Sequence, residues 1–250
     1  MTPNPVDSSF TLESVSDMSK VGTMNSAPAE VSTGRYLLRI TQACLNLLGY
    51  VLIGVVVGIS LLFAFRLGPN LSTLNLHIVL CVLGFQLLMG VGILTLTSES
   101  GFALGITLKH RRWLHTLLQV IGSGLALAGG FIMSLSKDVN FNTLHGKFAL
   151  VALVFTVACL FNGITSLYAY EWRRFMPANL SKLTHILFGI TAFLAANVSL
   201  CYGMQKGFFR NWATEEFTVA LYVFVGAIIS ICILNPFITF FSKMFNVCSK

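Results

Sequence analysis

The sequence predicts an all-α integral membrane protein folded as a six-helix bundle, and three observations lead to that class. Of its 250 residues 55% are hydrophobic and only 10% charged, with a mean hydropathy of +0.79. Soluble domains carry about 25% charged residues, so the polar side chains here are too few to cover a particle of this size in water. Second, six windows, near 36–65, 77–97, 114–135, 145–168, 184–204 and 217–241, are apolar enough to cross a bilayer, which takes roughly 20 residues of helix. Third, none of these windows contains an Asp or Glu, and the bases lie almost entirely in tails and loops. Hydrocarbon cannot satisfy backbone amides, so each span must satisfy its own as a helix.

Taken in order, residues 1–34 are rich in Ser, Thr and Pro, lack the basic start and apolar core of a signal peptide, and read as a disordered cytoplasmic tail. The transmembrane domain is expected over 35–242, followed by a short cytoplasmic tail at 243–250. With the N-terminus inside, one membrane side collects Arg35, Arg39, Lys109, Arg111, Arg112, Arg173, Arg174, Lys182, Lys243 and Lys250, and the other Arg66, Lys137, Lys147, Lys206 and Arg210. That bias puts both termini in the cytoplasm. Asn70 heads an Asn-Leu-Ser sequon on the expected outer side and Asn179 one on the inner side, so a glycan on Asn179 alone would invert the topology. The six cysteines show no CxxC spacing and no outer-loop cluster, and read as packing residues. The formal charge of +7 is scattered over loops without interleaved aromatics, which argues against nucleic acid as a partner and for orientation in the lipid bilayer.

The histidines carry the functional signal. Four of the five open successive spans: His77, His115, His145 and His185. Because consecutive helices alternate in direction, His77 and His145 lie towards the outer face and His115 and His185 towards the cytoplasm. His110, in the basic segment "HRRW", reads as a solvent-facing loop residue. Below each of the four, the same helix face continues in small residues: Ala149, Ala152, Thr156, Cys159 and Gly163 after His145, and Gly189, Ala192, Ala196, Ser199 and Gly203 after His185. After His115 the face reads Gln119, Gly122, Ala126 and Gly129, and after His77 it begins Cys81 and Gly84. Such stripes also serve plain helix packing, but ionisable groups in spans are functional hypotheses by default. A metal or proton transporter would add intramembrane carboxylates. Haem iron needs two axial nitrogens and an apolar slot for a flat macrocycle. Two bis-histidine haems, one per leaflet, fit the pattern best and would form an electron path across the membrane. The alternative is a haem-free multi-pass protein, a transporter or a structural one, whose histidines act as ligands or as hydrogen bonds between helices.

The segments "LHIVLCVLGFQLLMGVGILTL", "KHRRWLHTLLQVIGSGLALAGGFI", "TLHGKFALVALV" and "SKLTHILFGITAFLAANVSLCYGM" resemble the cytochrome b561 family of six-helix transmembrane reductases. The resemblance covers about residues 36–241 and is nearest to the stand-alone b561-domain-containing reductases. It implies a four-helix dihaem core in helices 2–5, with two haem b groups: an outer one on His77 and His145 and a cytoplasmic one on His115 and His185. It also implies an ascorbate-dependent oxidoreductase that passes electrons from cytoplasmic ascorbate to monodehydroascorbate or Fe(III) on the other side. Lys109, Arg111, Arg112, Arg173, Arg174 and Lys182 become candidates for attracting anionic ascorbate, and Lys147 for an anionic acceptor. The second span ends "GILTLTSESG" rather than in the Ala-Leu-Leu-Val-Tyr-Arg run of the ascorbate-reducible members, and "TLHGK" replaces a Ser-Leu-His-Ser-Trp type sequence. The resemblance leaves a homodimer open and points to an endomembrane (ER or vesicle) or the plasma membrane.

Overall fold

A computed structural model of the chain describes residues 33–69, 72–97, 105–168, 171, 174 and 177–248, with the side chains of Arg35 and of 246–248 excepted. The chain divides into two units, Met1–Leu37 and Leu38–Lys250. Of the first, only the opening residues of a helix from Thr33 are described, so the expected tail falls almost wholly outside the described residues. Among the described residues six helices are long and apolar enough to cross a membrane. They are α1 (Thr33–Ala64), α2 (Thr73–Leu94), α3 (Leu108–Leu135), α4 (Leu144–Leu167), α5 (Ala178–Met204) and α6 (Glu215–Cys248). A single helical turn, Gly207–Arg210, joins the last two.

The starts follow from capping chemistry. Ser72 Oγ accepts from the Asn75 amide (3.2 Å), Thr107 Oγ1 from His110 (3.4 Å) and Thr143 Oγ1 from Gly146 (3.2 Å), each satisfying an amide that a helix start leaves without an intrahelical partner. Pro177 precedes α5, where a missing N–H costs nothing. The turn into α4 is tight: Phe141 has a positive φ of 56°, and a Cβ on Gly146 would lie 2.9 Å from the Phe141 Cα.

These caps place α3 and α5 about six residues ahead of the predicted spans, because hydropathy finds the hydrocarbon and not the helix. His110 is thereby corrected from a loop residue to the first turn of α3, exposed, with Nδ1 2.8 Å from Thr107 Oγ1. At the other end α6 runs on to Cys248 through the expected tail, since no glycine or proline follows Pro236 to stop it.

Within α2 the stretch Val82–Met89 is wound as a π-helix between α-helical ends. Such a stretch is a wide turn holding an extra residue, and it leaves carbonyls short of their usual donors. Gln119 of α3 donates Nε2 to the Met89 carbonyl at the end of this stretch, at 3.1 Å.

Packing joins α2 to α3, α4 to α5, and α6 to α5. Leu52, Ile53, Val56, Phe193, Leu221 and Val225 are among the residues of one apolar core drawn from α1, α2, α5 and α6. Asn46 of α1 donates to Thr97 Oγ1 just past α2 at 2.8 Å, a buried polar tie. Large apolar side chains such as Leu62, Phe131 and Phe161 are exposed, as bilayer-facing helices require.

Candidate functional site

The four histidines sit at two levels of the α2–α5 bundle. His77 and His145 rings have centroids 6.1 Å apart at an interplanar angle of 88°. His115 and His185 repeat this at 6.4 Å and 87°. Each pair joins one helix of the α2/α3 couple to one of the α4/α5 couple.

Inside the couples the rings are held reciprocally. His77 Nδ1 of α2 lies 2.9 Å from the Gly129 carbonyl of α3, and His115 Nδ1 of α3 lies 2.8 Å from the Gly92 carbonyl of α2. His145 Nδ1 of α4 lies 2.8 Å from the Ser199 carbonyl of α5, and His185 of α5 meets Cys159 of α4, with Nδ1 3.5 Å from the thiol Sγ and the ring also engaged by the Cys159 backbone. A carbonyl only accepts, so a ring bonded through Nδ1 must carry its proton there. That fixes the tautomer and leaves the Nε2 lone pair for a ligand bond.

The acceptor carbonyls obey a spacing rule. Gly129 is fourteen residues beyond His115, Ser199 fourteen beyond His185, and Cys159 fourteen beyond His145. Fourteen residues of α-helix span about 21 Å, which puts both levels inside a hydrocarbon layer of about 30 Å. Gly92, however, is fifteen beyond His77. The π-helix between them absorbs the extra residue, so Gly92 still arrives at the level and on the face of its counterparts.

The small-residue stripes make this possible. A Cβ on Gly84 would stand 2.5 Å from the Gly122 carbonyl, and one on Gly129 2.9 Å from Cys81 Sγ, so α2 and α3 meet backbone to backbone. In the other couple the glycines make room for rings: a Cβ on Gly203 would lie 3.3 Å from His145, and one on Gly163 3.3 Å from His185.

The rings suit a shared metal. A direct hydrogen bond would bring two ring nitrogens to about 3 Å. Two imidazole nitrogens each about 2 Å from one metal ion, with about 1 Å more from nitrogen to ring centre, set the centroids about 6 Å apart. The observed 6.1 and 6.4 Å match the second case. Among the described residues no group of three or more His, Cys, Asp or Glu gathers at either pair. Two nitrogens alone do not complete a transition-metal shell, so a metal shared by such a pair would have to bring its other ligands with it, as haem iron does. Beside His77 and His145 lies a cavity of about 380 Å³ whose walls include Ala149, Ala152, Ala196 and Gly203. Its size and apolar lining suit a flat organic cofactor.

Charge near the sites is cationic at both ends. Lys137 and Lys206 line the cavity next to Phe208 and Phe209. Lys147 is exposed on α4 and is not among the lining residues. At the His115 end the electrostatic neighbours of Lys182 are Arg112 and Lys243, both cations. Lys109, Arg112 and Arg174 are exposed, and Arg111 turns back to donate to the Leu96 carbonyl at 3.4 Å. Arg173 and Asn70 lie outside the described residues. Sequence reasoning missed Lys137, Lys206 and the four clamping acceptors, although three of those acceptors stand in the small-residue stripes and the fourteen-residue interval is visible in them.

A helical membrane protein with two levels of facing imidazoles, three of them held at Nδ1 by a backbone carbonyl that leaves Nε2 for a ligand, has the architecture of a transmembrane cytochrome. A sequence profile described as eukaryotic cytochrome b561 matches residues 76–210, which contain all four of these histidines, and the chain belongs to that family, whose members bind haem b. It is 28% identical over 189 residues to the protein named transmembrane reductase CYB561D2 of Bos taurus, covering 74% of this chain and 80% of that one. Proteins of the same name from Mus musculus and Homo sapiens are each 29% identical, over 66% and 72% of this chain and 73% and 82% of theirs. No solved structure matches the chain.

Proposed function

We propose that this protein transfers electrons across a membrane through two haem b groups, from cytoplasmic ascorbate to monodehydroascorbate or Fe(III) on the opposite side. The observation that carries the reading is the pair of His–His couples at metal-sharing distance, with every Nδ1 engaged by the neighbouring helix. His77 and His145 hold the outer group, and His115 and His185 the cytoplasmic one. When bound, haem supplies a one-electron Fe(III)/Fe(II) couple at each level.

The protein supplies position and environment. Backbone carbonyls keep each ring oriented, the apolar helices exclude water, and the spacing of the two levels leaves a short gap for electron transfer. Arg112, Lys182 and Lys243 form the cationic approach for ascorbate, aided by Lys109, Arg111, Arg173 and Arg174. Lys137 and Lys206 draw an anionic acceptor to the outer cavity, with Lys147 beside it. The basic-residue bias supports both termini facing the cytoplasm, and the word reductase in the relatives' names supports an oxidoreductase.

The test is spectroscopic. Purified protein reduced with dithionite should show the sharp visible bands of bis-histidine haem b at two haems per chain. His115→Ala and His185→Ala should each remove the same haem and block reduction by ascorbate in proteoliposomes, while His77→Ala and His145→Ala remove the other. A spectrum without haem, or a His115→Ala protein that keeps two, defeats the reading. Ferric and monodehydroascorbate acceptors compared in the same vesicles identify the outgoing substrate.

A further inference from the structure

Deep in the bundle two amides form a chain whose direction is set by the backbone. Asn197 of α5 donates Nδ2 to the Phe193 carbonyl at 2.8 Å. A carbonyl only accepts, so the other end of the Asn197 amide must be its oxygen. That oxygen accepts from Gln86 Nε2 of α2, also at 2.8 Å. The Gln86 amide is therefore oriented too, with Oε1 at its free end. Gln86 is 2% exposed and Asn197 fully buried, and Gln86 Oε1 has no hydrogen-bond partner among the described residues. Both residues line the cavity that contains His77 and His145. Gln86 also lies within the π-helical stretch, whose wide turn sets the face from which it reaches α5.

An unpartnered buried amide oxygen is costly, and native proteins almost always give such an atom a donor. We infer that Gln86 Oε1 takes a hydrogen bond from an O–H donor held in the His77–His145 cavity, and that it thereby presents the oxygen end of a clamped dipole chain to the occupant of that cavity. The donor is a buried water or a carboxylic acid group of the porphyrin, which share this chemistry. Ser60 lines the same cavity and offers a further acceptor, since its hydroxyl proton is already given to the Val56 carbonyl at 2.7 Å. The partial negative charge favours the oxidised, more positive state of a redox centre beside it. Gln86 and Asn197 are thus positioning residues that lower the midpoint potential at this level, an assignment that rests on the haem reading above.

The experiment is a redox titration of the full-length protein in nanodiscs, with the component lost in His145→Ala taken as the one at the His77 level. Gln86→Met should raise the midpoint of that component and leave the other in place. Asn197→Leu keeps the Gln86 side chain but releases its clamp, and should shift the same component in the same direction by less. If Gln86→Met fails to load haem, Asn197→Leu decides. Unchanged midpoints in every variant that loads haem overturn the assignment, whereas wild-type protein with no haem component at all overturns the haem reading instead. Reduced-minus-oxidised infrared spectra identify the donor: an O–H band that moves in heavy-oxygen water marks a water, and an acid C=O band insensitive to it marks the carboxylic acid.

Discussion

The couples α2/α3 and α4/α5 do the same task with different backbones. Each presents two histidines, one per level, and each clamps its own rings on the partner helix. In α4/α5 both intervals are fourteen residues and both helices are α-helical throughout. In α2/α3 one interval is fifteen, and a π-helical stretch takes up the surplus. The lesson is that the level and face of the acceptor are conserved in space, while the residue count is free to change if the helix changes its winding. The couples also spend their glycines differently: Gly84 and Gly129 bring backbones together, whereas Gly163 and Gly203 clear space for imidazoles.

The harshest way to break the comparison is to shorten each couple by one residue. Deleting Val154, a lipid-exposed residue of α4 between His145 and Cys159, turns everything beyond it by about 100°. If each histidine pair holds a haem as proposed, the deletion should abolish the one at His115–His185, read as loss of half or more of the haem absorbance. Deleting Leu87 from the π-helical stretch should instead restore a regular α-helix, place Gly92 fourteen residues after His77, and leave both haems bound. If the two deletions behave alike, the compensation is not real.

Gly84→Leu comes next. Its side chain meets the Gly122 carbonyl and the Ala126 amide, backbone atoms that cannot step aside, so the couple must separate. A loss on the order of 3 kcal/mol, with depletion of both haems, is expected in thermal unfolding followed by absorbance. Gly203→Ala probes the other couple more gently. Its methyl lies 3.3 Å from the His145 ring, which needs to give by only a few tenths of an ångström. Both haems should remain, with an altered low-temperature spectrum for the His77–His145 component alone.

The smallest effect belongs to Ser199→Ala. The hydroxyl donates to the His145 carbonyl at 2.9 Å and its oxygen lies 3.1 Å from His145 Nδ1, but the nearer acceptor for the ring, at 2.8 Å, is the Ser199 carbonyl, which the substitution keeps. About 1 kcal/mol of stability should go with that hydrogen bond, with haem content unchanged. A lost haem here would mean that the hydroxyl, and not the carbonyl, fixes the tautomer.

Much of this was legible along the chain. The apolar windows located all six helices, because lipid leaves the backbone no alternative. Alternation of direction sorted His77 with His145 and His115 with His185, the two pairs that the structure brings to 6.1 and 6.4 Å. The helix starts were misplaced where Thr107 and Pro177 begin α3 and α5 outside the hydrocarbon, since capping leaves no trace in hydropathy. The small stripes were visible, but their division of labour between backbone contact and ring clearance was not.

The sequence by itself therefore determined the class, the number of spans and which histidines face each other, because bilayer thickness and helix periodicity leave little freedom in those matters. Only the tertiary structure decided which carbonyl holds each ring, that Lys137 and Lys206 line the cavity while Lys147 does not, and which way the Gln86 amide points. Those depend on the rotation and winding of one helix against another. Hydropathy averages over a helix face, and a single π turn in α2 changes the register of every residue beyond it.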